Sequence, residues 1–355
     1  MKKRALFAAL FLLLSGALGL LAAASGGTAA DPLISLSYLN GTFTQTALDR
    51  IEAQRERGSA APAAFAENWT ETRLKSGDVL SGSTGTLILP LAGSLRASFF
   101  SGAVVDVTEG TEVPSGSLLT PMHRYLTAED TAVFFTVESR TAVLDYQGPY
   151  AFSLSSATDY NAIAEALRSI GLFRGSLTGY GSGFDLEVAP TRLQALIMFI
   201  RLLGEEDAAL AYTGATPFTD IQPGSEPARY VGYAYSMGYT NGYTKTTFRP
   251  SQKVNAYQYV EFVLRALGYS STGTTDLTGT LDRAAECGVL TAGEAAALAK
   301  ETFLRADLVY VSWYALDAQL SGTERTLRRA LTDKGVFTDA AYQAAAAGLG
   351  SPQRP

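Results

Sequence analysis

The stretch from Pro217 to Tyr269 reads PFTDIQPGSEPARYVGYAYSMGYTNGYTKTTFRPSQKVNAYQYVEFVLRALGY. It gives the clearest evidence for the fold of the chain. It divides into a Phe-Thr-Asp turn, an aromatic-rich helix, a glycine-punctuated loop that ends in Phe-Arg-Pro, and a second helix. A weaker copy lies on each side of this central unit. A repeat of this length cannot bury its own apolar face and has to stack on its neighbours. The sequence therefore predicts a helical module of packed repeats.

The flanking copies appear when the chain is aligned on the last glycine of the central loop. Ile170–Gly175 corresponds to Met237–Gly242, with a fainter match at Cys287–Leu290. Phe184–Leu186 takes the place of Phe248–Pro250. Each copy continues into a helix whose apolar residues recur at positions i, i+3, i+4 and i+7. These helices are predicted at Thr191–Gly204, Asn255–Gly268 and Leu304–Asp317.

The composition of the 355 residues is that of an ordinary globular protein, with 47% hydrophobic and 17% charged residues. The formal net charge is −6 and no basic cluster stands out, so we expect no nucleic acid partner, because phosphate binding needs a clustered basic surface. Cys287 is the only cysteine and His123 the only histidine. These counts exclude a disulfide framework and most His/Cys sites, and we expect neither a metal nor a cofactor.

The N-terminus has the pattern of a bacterial secretory signal. Lys2, Lys3 and Arg4 precede an apolar run that ends in small residues, so residues 1–30 are predicted to be cleaved, which leaves no stable membrane span. Residues 31–71 follow as a helical or linker segment.

The sequence pattern changes near Thr72. Short apolar runs alternate with Gly, Ser, Thr and Asp turns, which favours a small β-sandwich or barrel over residues 72–155. The strands are expected at Leu87–Leu89, Ala103–Val107, Ala132–Val137 and Ala142–Tyr146.

The helical repeats resemble the S-layer homology family, whose modules hold exported proteins on bacterial cell walls. The family pattern is an F-x-D turn, an aromatic-bearing helix, a G-[IVLF]-x-x-G turn, an F-x-P and a T-R-A-E box that opens the second helix. The central copy supplies Phe218 and Asp220, Gly238 and Gly242, and Phe248 and Pro250. The first and third copies are degenerate. Thr191 and Gln194 stand in the box of the first copy and also read as a plain helix-capping box, as do Asn255 and Gln258.

The resemblance implies a ligand and a set of contacts. In the family, the arginine of the box helps to bind a secondary cell-wall polysaccharide, often one with an anionic, pyruvylated terminal sugar. Arg192 and Arg305 match that arginine, whereas Ala256 replaces it in the central copy. A cation beside exposed amides at a helix start suits an anion. Solvated surface is the alternative role for both arginines. The candidate ligand-binding residues are Arg192, Arg305, Tyr239, Tyr243 and Asn255.

The sequence offers no clear catalytic site. A G-x-S-x-G elbow is absent, and the loop Gly179–Gly183 lacks the lysine of a phosphate loop. The acidic run Glu205–Asp207 follows a helix end and is expected to face solvent. A wall-active carbohydrate enzyme with its site in the β domain stays open as an alternative, since a carboxylate pair formed only by folding leaves no sequence trace. A self-assembling structural surface protein is the other.

These observations predict an α+β protein that is not an enzyme. The β domain precedes an all-α module with repeats at residues 157–210, 215–270 and 275–320, and a helical tail at 321–355 with a frayed end. We expect an exported cell-surface protein held non-covalently by cell-wall polysaccharide and peptidoglycan-associated polymer.

Overall fold

The computed structural model describes residues 64–175, 183–270 and 276–349, together with Gln45 and Arg354. The predicted signal, most of the 31–71 segment and most of the loop Gly179–Gly183 lie outside these residues. The first part of the described chain is a β domain. Its strands are β1 (Ala64–Lys75), β2 (Val79–Ser83), β3 (Leu87–Ala92), β4 (Leu95–Ser98), β5 (Ala103–Asp106), β6 (Thr111–Val113), β7 (Ser117–Leu118), β8 (Tyr125–Ala128), β9 (Ala132–Val137) and β10 (Thr141–Ser153).

The ten strands form one antiparallel sheet that curls around a single apolar core. The strand order is β6-β5-β8-β3-β10-β2-β9-β4-β7, and β1 pairs with β10. Alternate side chains of strands such as β2, β3 and β4 point inward, and Leu80, Ile88 and Leu144 are fully buried. The expected strands all lie in this sheet. The predicted sandwich or barrel is therefore one curled sheet that approaches a barrel.

The sheet begins earlier than the predicted boundary at residue 72. Strand β1 starts at Ala64, and its first eight residues are mostly exposed. This half of the strand lies at a sheet edge and carries no alternating apolar pattern, as the polar run Glu67-Asn68 shows. Backbone pairing with β10 fixes it as a strand, through partners such as Thr70 and Tyr146. Long-range pairing of this kind is invisible in the local sequence.

The rest of the described chain is helical. The helices are α1 (Tyr160–Ser169), α2 (Arg192–Leu202), α3 (Glu206–Leu210), α4 (Glu226–Ser236), α5 (Ala256–Ala266), α6 (Thr280–Glu286), α7 (Ala292–Leu298), α8 (Arg305–Ala315), α9 (Leu327–Asp333) and α10 (Asp339–Ala347). None of them is long and apolar enough to cross a bilayer.

Helices α2, α5 and α8 are the centre of the module. Each has 11 residues, and each contacts the other two. One outer helix packs on each central helix: α4 packs on α2, α6 packs on α5 and α1 packs on α8. The second helix of one copy is thus covered by the first helix of the next copy, and one continuous apolar core results. Short stretches that align weakly in sequence therefore occupy equivalent places in space.

Two segments differ from the sequence prediction. The third copy replaces its loop with helix α7, whose Ala-rich sequence AGEAAAL favours helix over an extended loop. The tail helix α10 is docked rather than frayed, since it packs on α1 and Tyr342 stacks on Trp313 at 5.2 Å between ring centroids. An alanine-rich face packs closely, so a tail that looked weak in isolation is stabilised by tertiary contact.

An arginine of the β domain forms a charged contact with the helical module. Arg140 lies in the turn between β9 and β10, and its Nη1 donates to Asp307 Oδ2 at 3.0 Å and to the Thr302 carbonyl at 3.3 Å. It also forms an ion pair with Glu301. Burial raises the pKa of Asp307 to about 6, and the Arg140 cation opposes that rise.

Candidate functional site

The central loop is built by the motif residues themselves. Phe218 and Phe248 are buried with their ring centroids 5.9 Å apart. The carboxylate of Asp220 accepts from the amides of Phe248 at 2.8 Å and Arg249 at 2.7 Å, which ties the Phe-Thr-Asp turn to the Phe-Arg-Pro segment. Gly242 has φ +81°, and a Cβ there would lie 2.3 Å from Phe218 Cε1. The spacing of the motif is therefore a folding requirement. Gly238 has φ +75° and directly follows Met237, the C-cap of helix α4.

The start of helix α2 lies against this loop. Thr191 and Gln194 form the predicted capping box, with Thr191 Oγ1 accepting from the Gln194 amide at 3.2 Å and Gln194 Oε1 accepting from the Thr191 amide at 2.9 Å. The next amides are also used, because Arg192 N donates to the Gln252 carbonyl and Leu193 N to that of Pro250. The expectation of exposed amides beside Arg192 is therefore wrong. An anion at this place has side chains, not helix amides, as its donors.

Arg192 is buried in the wall of the central loop, with 6% of its surface exposed. Its guanidinium carbon lies 5.0 Å from the Phe248 ring centroid and 5.4 Å from that of Phe262. Nη2 makes long hydrogen bonds to Thr240 Oγ1 at 3.4 Å and the Gly242 carbonyl at 3.3 Å. Nε is enclosed and has no hydrogen-bond partner. The solvated-surface alternative for Arg192 does not fit this position.

The electrostatics of Arg192 are those of a cation that lacks a counter-ion. Within the described residues it forms no ion pair with a carboxylate. Burial lowers its pKa to about 10, and the nearby cation of Arg265 acts in the same direction. The group still carries its charge at neutral pH. A buried cation costs stability unless it is paired, so an anion that reached it would be bound favourably.

Arg305 occupies the equivalent place at the start of helix α8. It is 4% exposed, its Nε donates to the Phe184 carbonyl at 3.1 Å, and its guanidinium lies 5.8 Å from the Phe173 ring centroid. The β domain contacts the same segment, since the Arg73 guanidinium lies 4.8 Å from the Phe184 ring centroid. Arg305 is thus buried and bonded to a backbone acceptor, which also excludes solvated surface.

The central helix α5 has no cation at its start. Ala256 is 2% exposed and fills the space with a methyl group. Asn255 Oδ1 accepts from the Gln258 amide at 3.0 Å. The capping box predicted here is only half formed, because the reciprocal bond from the Gln258 side chain is absent from the contacts of α5. Asn255 is exposed, and its observed role is to cap the helix.

The two candidate tyrosines, Tyr239 and Tyr243, differ in how far they are exposed to solvent. The Tyr239 hydroxyl donates to Glu205 Oε2 at 3.0 Å, and its ring packs edge-on against Phe199. Burial raises the pKa of Tyr239. Tyr243 is 44% exposed at the loop surface, and the guanidinium of Arg249 lies 3.7 Å from its ring centroid. Only Tyr243 therefore presents an open edge beside Arg192.

The sequence predicted that the acidic run Glu205–Asp207 faces solvent. Asp207 is exposed, whereas Glu205 and Glu206 are half-buried and bonded. The Glu205 side chain is 16% exposed and accepts from Tyr233 and Tyr239 hydroxyls, both at 3.0 Å. Glu206 accepts from Tyr230 at 2.7 Å and pairs with Arg201. These tyrosine hydroxyls explain why aromatics crowd the central copy, because they satisfy buried carboxylates.

The β domain holds two buried carboxylates, each with its own partners. Asp78 accepts from Lys75 Nζ at 3.0 Å and from the Ser155 amide at 2.7 Å. Asp106 lies 2.7 Å from His123 Nδ1 and accepts from two turn amides. In the described ranges no three His, Cys, Asp or Glu residues converge on a possible metal position. Each carboxylate stabilises a turn of its own sheet.

Sequence reasoning missed three residues of the site. Thr240 and Phe262 contact Arg192, and Arg249 covers one face of Tyr243. A sequence signal existed for the last of these. No Asp or Glu occurs between Glu226 and Glu261, although the chain has 34 acidic residues. An acid-free stretch that includes a loop points to an anionic neighbour.

A comparison with family models identifies the central stretch. Residues 217–255 match the S-layer homology domain. The match ends at Asn255, so it covers the Phe-Thr-Asp turn, helix α4 and the Phe-Arg-Pro loop, which are the elements that surround Arg192.

Known proteins with similar sequences are bacterial surface proteins. Cell surface glycoprotein 1 of Acetivibrio thermocellus is 33% identical over 98 residues, which is 27% of this chain and 4% of the glycoprotein. The surface layer protein of Brevibacillus choshinensis is 29% identical over 96 residues, covering 27% of this chain and 9% of that protein. The middle cell wall protein of Brevibacillus brevis is 26% identical over 112 residues, or 31% and 10% of the two chains.

The chain thus matches only a small part of each relative's length. Among solved structures, the dTDP-6-deoxy-D-glucose-3,5-epimerase RmlC of Legionella pneumophila matches 28% of this chain and 55% of its own, with 19% identity and a TM-score of 0.17. A score this low carries no argument about fold or activity. This chain therefore contains an S-layer homology domain at residues 217–255, and part of it is similar in sequence to bacterial cell-surface proteins.

Proposed function

We propose that this protein is an exported, non-enzymatic protein of the bacterial cell surface, held on the wall because its helical module binds an anionic wall polysaccharide. We also assign the first and third helical copies to the S-layer homology family. The equivalent packing of α2, α5 and α8 supports that assignment. The surface location is supported by the domain match and by the similarity to cell-surface and cell-wall proteins.

The observation that carries the proposal is the state of Arg192. It is a buried guanidinium without a carboxylate partner in the described chain, and it lies behind a loop that exposes Tyr243. A carboxylate-bearing sugar satisfies both features, because its charge pairs with Arg192 and its apolar ring face packs beside the tyrosine. Ala256 removes the cation from the central helix, and Arg305 donates to the Phe184 carbonyl. The surface around Arg192 is thus the main binding place in this proposal.

Co-sedimentation tests this function. The purified full chain is mixed with bacterial wall sacculi that keep their polysaccharide and, in parallel, with sacculi stripped of it by acid extraction. We expect the chain in the pellet only with the intact sacculi. A chain that stays in the supernatant with both preparations contradicts wall anchoring. Equal sedimentation with both contradicts polysaccharide as the ligand and points to peptidoglycan.

A further inference from the structure

The loop next to Arg192 gathers positive charge on an acidic protein. Lys245, Arg249 and Lys253 are exposed, and none of them forms an ion pair within the described residues. They belong to the stretch between Glu226 and Glu261 that has no acidic residue, in a chain of net charge −6. We call these three residues the basic strip. The three strip residues lie within nine positions of the sequence, and folding places Arg192, which is remote in sequence, next to them.

Contacts place the basic strip beside Arg192. Lys253 Nζ donates to the Ala189 carbonyl at 2.7 Å, three residues before Arg192, and its backbone bridges to Thr191. Arg249 covers Tyr243, which directly follows the Gly242 carbonyl that accepts from Arg192. Lys245 lies in the turn that the Tyr243 amide closes by donating to the Thr247 carbonyl. The basic strip therefore lies on the loop segments that enclose Arg192.

The local structure does not neutralise the strip. Asp220 is bonded to this loop through the backbone amides of Phe248 and Arg249, and it forms no ion pair with the three cations of the strip. Arg249 is fixed by its own backbone, with φ +60° and its amide on Asp220. Its guanidinium makes a 3.4 Å contact to Gln252 Oε1 and stacks on Tyr243, so its charge stays available on a preorganised side chain.

We infer that the wall polymer bound at Arg192 carries several negative charges along its chain, and that Lys245, Arg249 and Lys253 contact the charges next to the one at Arg192. The inference rests on the proposed function and adds the ligand class, a polyanionic glycan. A ligand with one terminal charge uses Arg192 alone and gains little from a rim of exposed cations. A chain with repeated charges engages the buried cation and the basic strip together.

The dependence of binding affinity on salt concentration reports how many charged contacts the protein makes with the polymer. Binding of the full chain to polysaccharide-bearing sacculi is measured from 50 to 500 mM NaCl, for the unaltered protein and for the triple variant Lys245→Gln, Arg249→Gln, Lys253→Gln. Each cation released from the contact reduces the slope of log K against log salt by roughly one or less. We expect the triple variant to bind about tenfold more weakly at low salt and to show a shallower slope, because exposed pairs are individually weak but act together.

Arg229 provides the matched control. It lies in the same acid-free stretch and is exposed, but its Nη1 donates to the Leu210 carbonyl on another side of helix α4. Arg229→Gln is expected to leave affinity and slope unchanged. An equal loss in Arg229→Gln and the triple variant overturns the inference, since it shows that only net charge matters. A triple variant with unaltered slope and affinity overturns it too.

The experiment separates this inference from the proposed function. If the unaltered chain binds sacculi and Arg192→Gln abolishes binding while the triple variant has no effect, the function stands and the polyanion inference fails. If the unaltered chain does not bind polysaccharide-bearing sacculi at any salt concentration, the proposed function fails, and the inference that rests on it fails as well. If the triple variant loses binding while Arg192→Gln binds like the unaltered chain, the surface around Arg192 is not the place of binding.

Discussion

At the scale of single residues, the motif of the central copy is explained by packing and backbone geometry. Gly242 needs a left-handed backbone and stands against Phe218, and Asp220 holds two amides of the opposite segment. Family motifs of this kind are readily taken for ligand contacts. Here most of their residues build the loop, and the ligand contacts that we propose fall to Arg192 and the groups around it.

A glycine pair tests the packing role. Gly171 and Gly242 both have φ +81°, but a Cβ at Gly171 meets nothing within 4 Å, whereas one at Gly242 lies 2.3 Å from Phe218 Cε1. We expect Gly171→Ala to lower the free energy of unfolding by about 1 kcal/mol, the cost of left-handed strain. Gly242→Ala adds a clash and should cost about 3 kcal/mol or more. Urea unfolding measures both, and equal losses would contradict the packing role of Gly242.

At the scale of elements, the sequence predicted what depends on local pattern. Helix periodicity identified α2, α5 and α8, and the Thr191 cap was recognised from the residues at its ends. It did not predict the first half of strand β1, helix α7, or the use of the α2 amides by carbonyls of Pro250 and Gln252. Those features depend on a partner distant in sequence, which no local pattern contains.

The capping box gives an element-scale prediction. Thr191→Val keeps the shape of the side chain and removes the hydroxyl that accepts from the Gln194 amide. We expect a loss of about 1 kcal/mol in the free energy of unfolding. Thr302→Val is the control, since Thr302 is exposed and contributes its carbonyl, not its side chain, to the contact with Arg140. A Thr191→Val protein as stable as Thr302→Val would show that the cap does not stabilise α2.

At the scale of the whole molecule, the β domain and the helical module share a charged contact. Arg140 joins the β9–β10 turn to Asp307 at the start of α8 and to Glu301. The sequence could not predict this contact, because Arg140 and Asp307 are remote in sequence and neither belongs to a motif. The surroundings of Arg305 could not be predicted either. Its match to the family arginine does not indicate that it bonds to the Phe184 carbonyl or that Arg73 of the β domain contacts the Phe184 ring.

Removing the Arg140 cation should uncouple the two parts. Arg140→Gln leaves the buried carboxylate of Asp307 without its ion pair, and breaking such a pair costs about 3 kcal/mol. We expect calorimetry to resolve two unfolding transitions in this variant where the unaltered chain shows one. Arg168→Gln, which removes an exposed pair with Glu165, is the control and should leave the trace unchanged. A single, unshifted transition in Arg140→Gln would contradict the coupling.

The pKa of Asp307 gives a pH dependence with a defined sign. Its pKa is raised from 3.8 to about 6 in the folded protein, so the folded state binds this proton more tightly than the unfolded state. The resulting stability is fully present below the unfolded pKa and is lost as pH rises through 6. Relative to Asp307→Asn, the unaltered protein should gain up to about 3 kcal/mol between pH 7.5 and 4. A constant difference between the two proteins across this range would contradict the raised pKa.

The central claim is that the buried cation of Arg192 binds the wall polymer, and a pair of arginine variants tests it most directly. Arg192→Gln and Arg305→Gln are compared by co-sedimentation with polysaccharide-bearing sacculi, with thermal unfolding as the check on folding and Arg192→Lys as a charge-retaining variant. We expect Arg192→Gln to lose at least about tenfold in affinity, Arg192→Lys to retain part of it, and Arg305→Gln to bind within about twofold of the unaltered chain. A folded Arg192→Gln protein that sediments like the unaltered chain would contradict the account.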